Sequence, residues 1–157
     1  ILSFIGDGNN VTHSLLYGCS KVGLNLNIAT PEKFEPNKEI VSAAKRFAVI
    51  SGAKINLSND PLKACKDADA LYTDVWISMG QEKESAMRRK VFKNFQLNKR
   101  LVSQAKRDCL IMHCLPAHRQ EEITDEVMDS ENSIIFDQAE NRLHVQKSVL
   151  LKLLGER

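Results

Sequence analysis

Three short stretches of this 157-residue chain hold most of the side chains that could do chemistry. Gly6-Asp7-Gly8-Asn9-Asn10, with His13 and Ser14 a turn later, offers two carboxamides and a carboxylate. Asp74-Val75-Trp76-Ile77-Ser78-Met79-Gly80 sets an aspartate one helical turn's spacing ahead of a serine. His113-Cys114-Leu115-Pro116-Ala117-His118-Arg119 crowds two imidazoles and a thiol into six positions. Asp74 and Ser78 together suit an amino acid: a carboxylate pairs with its ammonium, while a hydroxyl and backbone N–H groups can meet its carboxylate. Met79 and Trp76 could wall its aliphatic part or simply fill core.

The third stretch admits competing chemistries. Imidazole and thiolate are both metal ligands, but their spacing across Pro116 fits no regular pattern, and no metal is expected. A Cys–His nucleophile pair is conceivable. Adjacent residues at a strand end face opposite ways, however, so His113 and Cys114 are expected to be poorly placed to act on each other. Cys114 is expected to line a pocket through its thiol or backbone carbonyl. The Gly6-x-Gly8 pair resembles half of a dinucleotide fingerprint. Its third position is Val11, and Thr30-Pro31 stands where a ribose-binding acid belongs, so a nicotinamide dinucleotide is excluded and no cofactor is expected. Asn9 is expected to cap a helix. Asn10, at the mouth of the presumed site, is either part of that cap or a ligand contact.

Around these stretches, short β-branched runs alternate with helical periods. Strands are expected at Leu2 to Ile5, Leu24 to Ala29, Lys54 to Leu57, Ala70 to Thr73 and Cys109 to His113, with Ile134-Ile135-Phe136 a possible sixth. Helices are expected over 10–22, 37–51, 61–67, about 83–106, 123–129 and 144–154. The pattern implies an α/β fold: one doubly wound domain over 1–157, Rossmann-like, with a mostly parallel five-stranded sheet and helices on both faces. Such sheets bind ligands beyond the carboxyl ends of their strands, which is where all three stretches fall.

Composition narrows the class. Hydrophobic residues are 43% and charged residues 27%, ordinary for a globular domain, and 22 cations against 20 acids leave +2. That balance argues against a nucleic-acid partner. Arg88-Arg89-Lys90 and Lys99-Arg100 read as solvated helix faces. No apolar run approaches the ~20 residues of a membrane span, and residues 1–5 lack the flanks of a signal peptide. Cys19, Cys65, Cys109 and Cys114 are too scattered for a zinc knuckle; three of them are expected to be buried, reduced thiols, and a cytoplasmic protein is expected. A strand that opens at the first residue is expected of a piece of a longer polypeptide.

Asp74-Val75-Trp76-Ile77-Ser78-Met79-Gly80 followed by His113-Cys114-Leu115-Pro116 resembles the ornithine-binding domain of the ornithine carbamoyltransferases. Gly6 to Asn10, Asn59-Asp60-Pro61-Leu62 and Ala139-Glu140-Asn141-Arg142 extend the resemblance along the whole chain. It implies transfer of a carbamoyl group from carbamoyl phosphate to the δ-amine of L-ornithine, giving L-citrulline and phosphate. It also implies that Asn10, Asp74, Ser78 and Met79 hold the amino acid, and that Cys114 stands beside the reacting amine. The backbone carbonyls of Cys114 and Leu115 would bind the carbamoyl NH2, and Arg142 would support carbamoyl phosphate. The family's carbamoyl phosphate-binding domain should precede residue 1, so these residues alone are expected to be inactive; the full-length protein is expected to be a homotrimer or a multiple of one. Two alternatives stand beside this reading: a carbamoyltransferase for putrescine or acetylornithine, and a non-catalytic Rossmann-like binding module.

Overall fold

The computed structural model describes residues 1–78, 80 and 82–155. Five strands, β1 (Leu2–Ile5), β2 (Leu26–Ala29), β3 (Ile55–Ser58), β4 (Ala70–Thr73) and β5 (Leu110–His113), form one parallel sheet in the order β3-β2-β1-β4-β5. From β1 the chain winds outward through β2 to β3. It then crosses to the other side of β1 for β4 and β5, so the two halves part between β1 and β4. The register is uniform. Ser58, Ala29, Ile5, Thr73 and His113 pair across the sheet, so the next residues, Asn59, Thr30, Gly6, Asp74 and Cys114, stand along one carboxyl edge.

The helices are α1 (Asn10–Val22), α2 (Lys38–Ser51), α3 (Pro61–Cys65), α4 (Ser85–Phe92), α5 (Lys99–Val102), α6 (Asp125–Met128) and α7 (Ile135–Leu154). Strand alternation divides the core into two layers. Phe4, Ile28 and Tyr72 pack with Leu16 of α1 and Ala44 of α2 on one face. Ile5, Leu71 and Ile111 pack with Cys65 of α3, Leu101 of α5, Val127 of α6 and Ile135 of α7 on the other. The starts of α1, α2 and α3 are fixed by Asn9, Asn37 and Asp60, whose side chains accept first-turn backbone N–H groups. His13 Nε2 accepts the Asn37 N–H at 3.1 Å, tying α1 to the start of α2.

Three expectations fail, for identifiable reasons. The helix over about 83–106 is broken into a 3-10 turn at Glu82–Glu84, α4, a second 3-10 turn at Lys93–Phe95, and α5. Phe92, Phe95, Leu97 and Leu101 are all buried, and their uneven spacing cannot lie on one helical stripe. Leu97 instead bridges Ile123, and Asn98 caps the short α5. Nor is Ile134-Ile135-Phe136 a strand: pairing with β5 is limited to the Ile111–Ser133 bridge, and α7 begins at Ile135. This helix starts at Ile135, well before residue 144; its apolar residues, Phe136, Leu143 and Leu150 among them, are largely exposed, so no inward stripe marks its start in the sequence. No helix among the described residues is long and apolar enough to cross a membrane.

One glycine is dictated by close approach. A Cβ on Gly8 would lie 2.4 Å from both the Phe34 carbonyl oxygen and the Pro36 nitrogen. The Gly8 N–H donates to that same carbonyl at 2.9 Å, holding the segment after β2 against the turn after β1.

Leu71, in β4 and 0% exposed, sits at the centre of the second core layer. Leu71→Ala is expected to cost about 2–5 kcal/mol in denaturant unfolding. Val49→Ala, at a position 85% exposed, is expected to stay within about 0.5 kcal/mol.

Candidate functional site

The strand register makes Asp74 and Cys114 neighbours. Each follows a paired residue, Thr73 or His113, so both leave adjacent parallel strands at the same level and toward the same face. The Cys114 thiol donates to Asp74 Oδ1 at 2.9 Å, and the Val75 N–H donates to the same oxygen at 2.8 Å. Burial, the Asp74 hydrogen bond and the Asp74 charge together push the Cys114 thiol up to about 12. A thiol so held is a proton donor near neutral pH, not a thiolate, which removes the support for a nucleophilic cysteine. Tyr72, two residues before Asp74, is buried beside Cys114 and Gln138, and burial raises its phenol above the usual range.

His113 serves the same turn from behind. It is 0% exposed, its Nδ1 accepts the Leu115 N–H at 2.9 Å, and its Nε2 faces Glu122 Oε1 at 3.1 Å. With Nδ1 an acceptor, the ring proton sits on Nε2 and donates to the carboxylate. Glu122, also 0% exposed, further accepts the His118 N–H at 2.5 Å. Leu115 has φ of 55°, a left-handed conformation uncommon for leucine, and the Leu115-Pro116 bond is cis. The His113–Glu122 pair thus braces the turn that presents the Cys114 and Leu115 carbonyls.

The expected separation of His113 from Cys114 needs correction. They do leave the strand on opposite faces, but the chain turns at once. A His113 ring nitrogen, Cys114 Sγ and an Asp74 carboxylate oxygen lie within 4.8 Å of one another. A cation held by these three would have to displace the Cys114–Asp74 bond and one of the two bonds to the imidazole. His118 and Arg119 turn outward, with Arg119 paired to Asp125 and Asp129 at the surface.

The remaining candidates border the same edge less closely. Asn9 is the cap of α1, accepting the Val11 N–H at 3.1 Å, and leaves Asn10 exposed at the first helical position beyond β1. Ser78 is half-buried on the connection that begins with Asp74, and Met79 lies outside the described residues. Arg142 is exposed on α7, one turn past Gln138, whose side-chain oxygen accepts the His113 backbone N–H at 3.1 Å. The structure therefore brings Asp74, His113, Cys114 and Leu115 together, sets Asn10 and Ser78 on the same rim, and relates Arg142 to it only through α7.

Two participants were invisible as site residues. Glu122 sits in Gln-Glu-Glu, a sequence that reads as solvated surface, and only the fold reveals its burial. Arg88, expected on a solvated helix face, is 4% exposed: its Nη1 and Nη2 both donate to Asp7 Oδ2, at 2.9 and 3.0 Å. Its sequence context, beside exposed Arg89 and Lys90, conceals this; its spacing of four from the buried Phe92 was the one available signal.

An open parallel sheet with a hydrogen-bonded acid and thiol at the carboxyl edge, where its winding reverses, defines an α/β ligand-binding domain. Residues 1–153 match the family described as aspartate/ornithine carbamoyltransferase, Asp/Orn binding domain, and the chain belongs to that family. The ornithine carbamoyltransferase of Pyrococcus horikoshii is 57% identical over 152 residues, 97% of this chain and 48% of that protein. The catabolic ornithine carbamoyltransferase of Thermoplasma acidophilum is 55% identical over 153 residues, 98% of this chain and 50% of that one. Among solved structures, ornithine carbamoyltransferase from Pyrococcus furiosus superposes with a TM-score of 0.91 at 55% identity, covering 96% of this chain and 48% of that one. The anabolic enzyme from Campylobacter jejuni gives 0.94 at 39% identity, covering 99% and 52%. The chain spans about half the length of the curated relatives it matches.

Because Asp74 raises the Cys114 thiol through both its hydrogen bond and its charge, Asp74→Asn is expected to lower that thiol toward its ordinary value. Alkylation of Cys114 by iodoacetamide, followed by peptide mass spectrometry at pH 8 to 10, should be several-fold faster in the variant. An equal rate would remove the coupling.

Proposed function

We propose that this chain is the amino-acid-binding half of an enzyme that transfers the carbamoyl group of carbamoyl phosphate to the δ-amine of L-ornithine, giving L-citrulline and phosphate. The contact of Asp74 with Cys114 on the carboxyl edge, in a chain of the aspartate/ornithine carbamoyltransferase family, is the observation that carries this reading. The names of the relatives favour ornithine over aspartate.

The chemistry asks for two kinds of environment. A free alkylammonium has a pKa near ~10, so the δ-amine must shed a proton and be held in line with the carbonyl carbon. Such positioning supplies roughly 7–11 kcal/mol of barrier lowering. The amine nitrogen then bonds to the carbonyl carbon, the carbon–oxygen bond to phosphate breaks, and phosphate departs with that electron pair and takes up the proton the nitrogen loses. In this reading Asp74 and Ser78, with Asn10 and Met79, grip the zwitterionic end of ornithine. The protonated Cys114 thiol borders the reacting amine, and the braced Cys114 and Leu115 carbonyls accept hydrogen bonds from the carbamoyl NH2. Negative charge developing on the carbonyl oxygen and phosphate needs cationic donors. Arg142 is the one assigned to that task in this chain. The cytoplasmic setting and the homotrimer, or a multiple of it, belong to the same proposal. Four cysteines without a disulfide suit a reducing compartment.

Asp74 distinguishes this from transfer to another amine. Putrescine has no carboxylate and acetylornithine has a masked α-amine, so each would leave one partner of the Asp74 and Ser78 pair unmatched. In an enzyme joining this chain to the relatives' other half, citrulline formation is expected with ornithine, with at least a hundredfold lower kcat/KM for putrescine or acetylornithine. Asp74→Asn is expected to cut kcat/KM for ornithine at least tenfold with the thermal melt retained. The 157 residues alone are expected to show negligible turnover. Comparable rates on putrescine, or a kinetically silent Asp74→Asn, would contradict the assignment.

A further inference from the structure

A buried arginine–aspartate ion pair near the site has no part in the chemistry above. Asp7, one residue before Gly8 in the turn after β1, is 6% exposed, and Arg88 of α4 is 4% exposed. Both guanidinium Nη atoms reach the single oxygen Asp7 Oδ2. The same guanidinium lies over the rings of Phe34 and Phe92, with centroids 4.9 and 5.5 Å away. Phe34 belongs to the segment that accepts the Gly8 N–H, and Phe92 packs against Trp76, with ring centroids 6.0 Å apart. One cation thus joins the turn after β1, the segment after β2 and the connection that begins with Asp74.

Burial on this scale is not explained by stability alone. A buried ion pair roughly offsets its own desolvation, and a well-packed apolar pair often holds a fold as firmly. What a guanidinium adds is direction: its planar donors fix a carboxylate at one distance and angle. Charge placement is the second consideration. Burial raises the Asp7 carboxyl above its usual range, the Asp74 and Glu84 charges push it the same way, and Arg88 opposes them. Arg88 therefore offsets the carboxylate of Asp7, which also feels the Asp74 charge.

We propose that Arg88, held by Asp7, is the positioning residue that sets the Asp74–Ser78 connection at the distance from the β1 edge that an α-amino acid backbone requires. Arg88 touches no substrate; it acts through Phe92, which packs on Trp76 of that connection. The proposal rests on the reading of this edge as the ornithine site. It differs from that reading in naming what makes the site selective for the zwitterionic end.

The test uses the enzyme that carries this chain together with its remaining half, and it separates the two claims. Citrulline formation by the unsubstituted enzyme decides the underlying reading, and its absence would overturn both. Given that activity, Arg88→Met keeps the volume and removes the charge and the donors. It is expected to raise the ornithine KM at least tenfold while the carbamoyl phosphate KM changes less than twofold. Arg88→Lys keeps the charge but loses the two-pronged geometry, and an intermediate rise in the ornithine KM alone is expected. An ornithine KM within twofold of the parent in folded Arg88→Met, or both KM values rising together, would overturn the positioning role. If Arg88→Met does not fold, Arg88→Lys decides by the same split between the two KM values.

Discussion

The parallel register of β1, β4 and β5 is the constraint on which the site depends. Ile5, Thr73 and His113 are paired across three neighbouring strands, so three connections far apart in sequence depart from one line. A slip of one residue in β5 would turn Cys114 to the opposite face and remove its contact with Asp74. The sheet is therefore more than a support. Backbone pairing fixes which acid meets which thiol.

Electrostatics then differentiates side chains that the backbone has gathered. Two carboxylates lie near each other at the rim, and they are treated differently. Asp7 is enclosed and matched by a guanidinium, whereas Asp74 receives a thiol and a backbone N–H. Behind them, Glu122 is spent on orienting an imidazole. In that arrangement Asp74 is the rim acid that, among the described residues, faces no cation and is met instead by a thiol and a backbone N–H. The His113–Glu122 pair and the Asp7–Arg88 pair brace different turns, one carrying the carbonyls after β5 and the other lying after β1.

The strand and helix pattern was legible because apolar periodicity and capping residues spoke plainly: β1, α1 and β4 have the boundaries their sequences imply. It failed where burial was not periodic, as between Phe92 and Leu101, and where apolar residues remain exposed, as along α7. Asp74 and Cys114 could be singled out because each is a polar residue ending an apolar strand. Glu122 and Arg88 could not, because a charged residue among charged neighbours looks solvated until the fold encloses it. Alternation correctly put His113 and Cys114 on opposite faces, yet it said nothing of the turn that brings their ring nitrogen and sulfur back within reach of each other.

The most direct test is a crystal structure of the complete enzyme with ornithine and an unreactive analogue of carbamoyl phosphate bound. An Asp74 carboxylate oxygen is expected at hydrogen-bonding distance, about 3 Å, from a nitrogen of ornithine, with the amino acid lying against the turn at Cys114. Density for ornithine at the amino ends of the strands, or on the carboxyl edge with Asp74 turned away from it, would contradict the assignment.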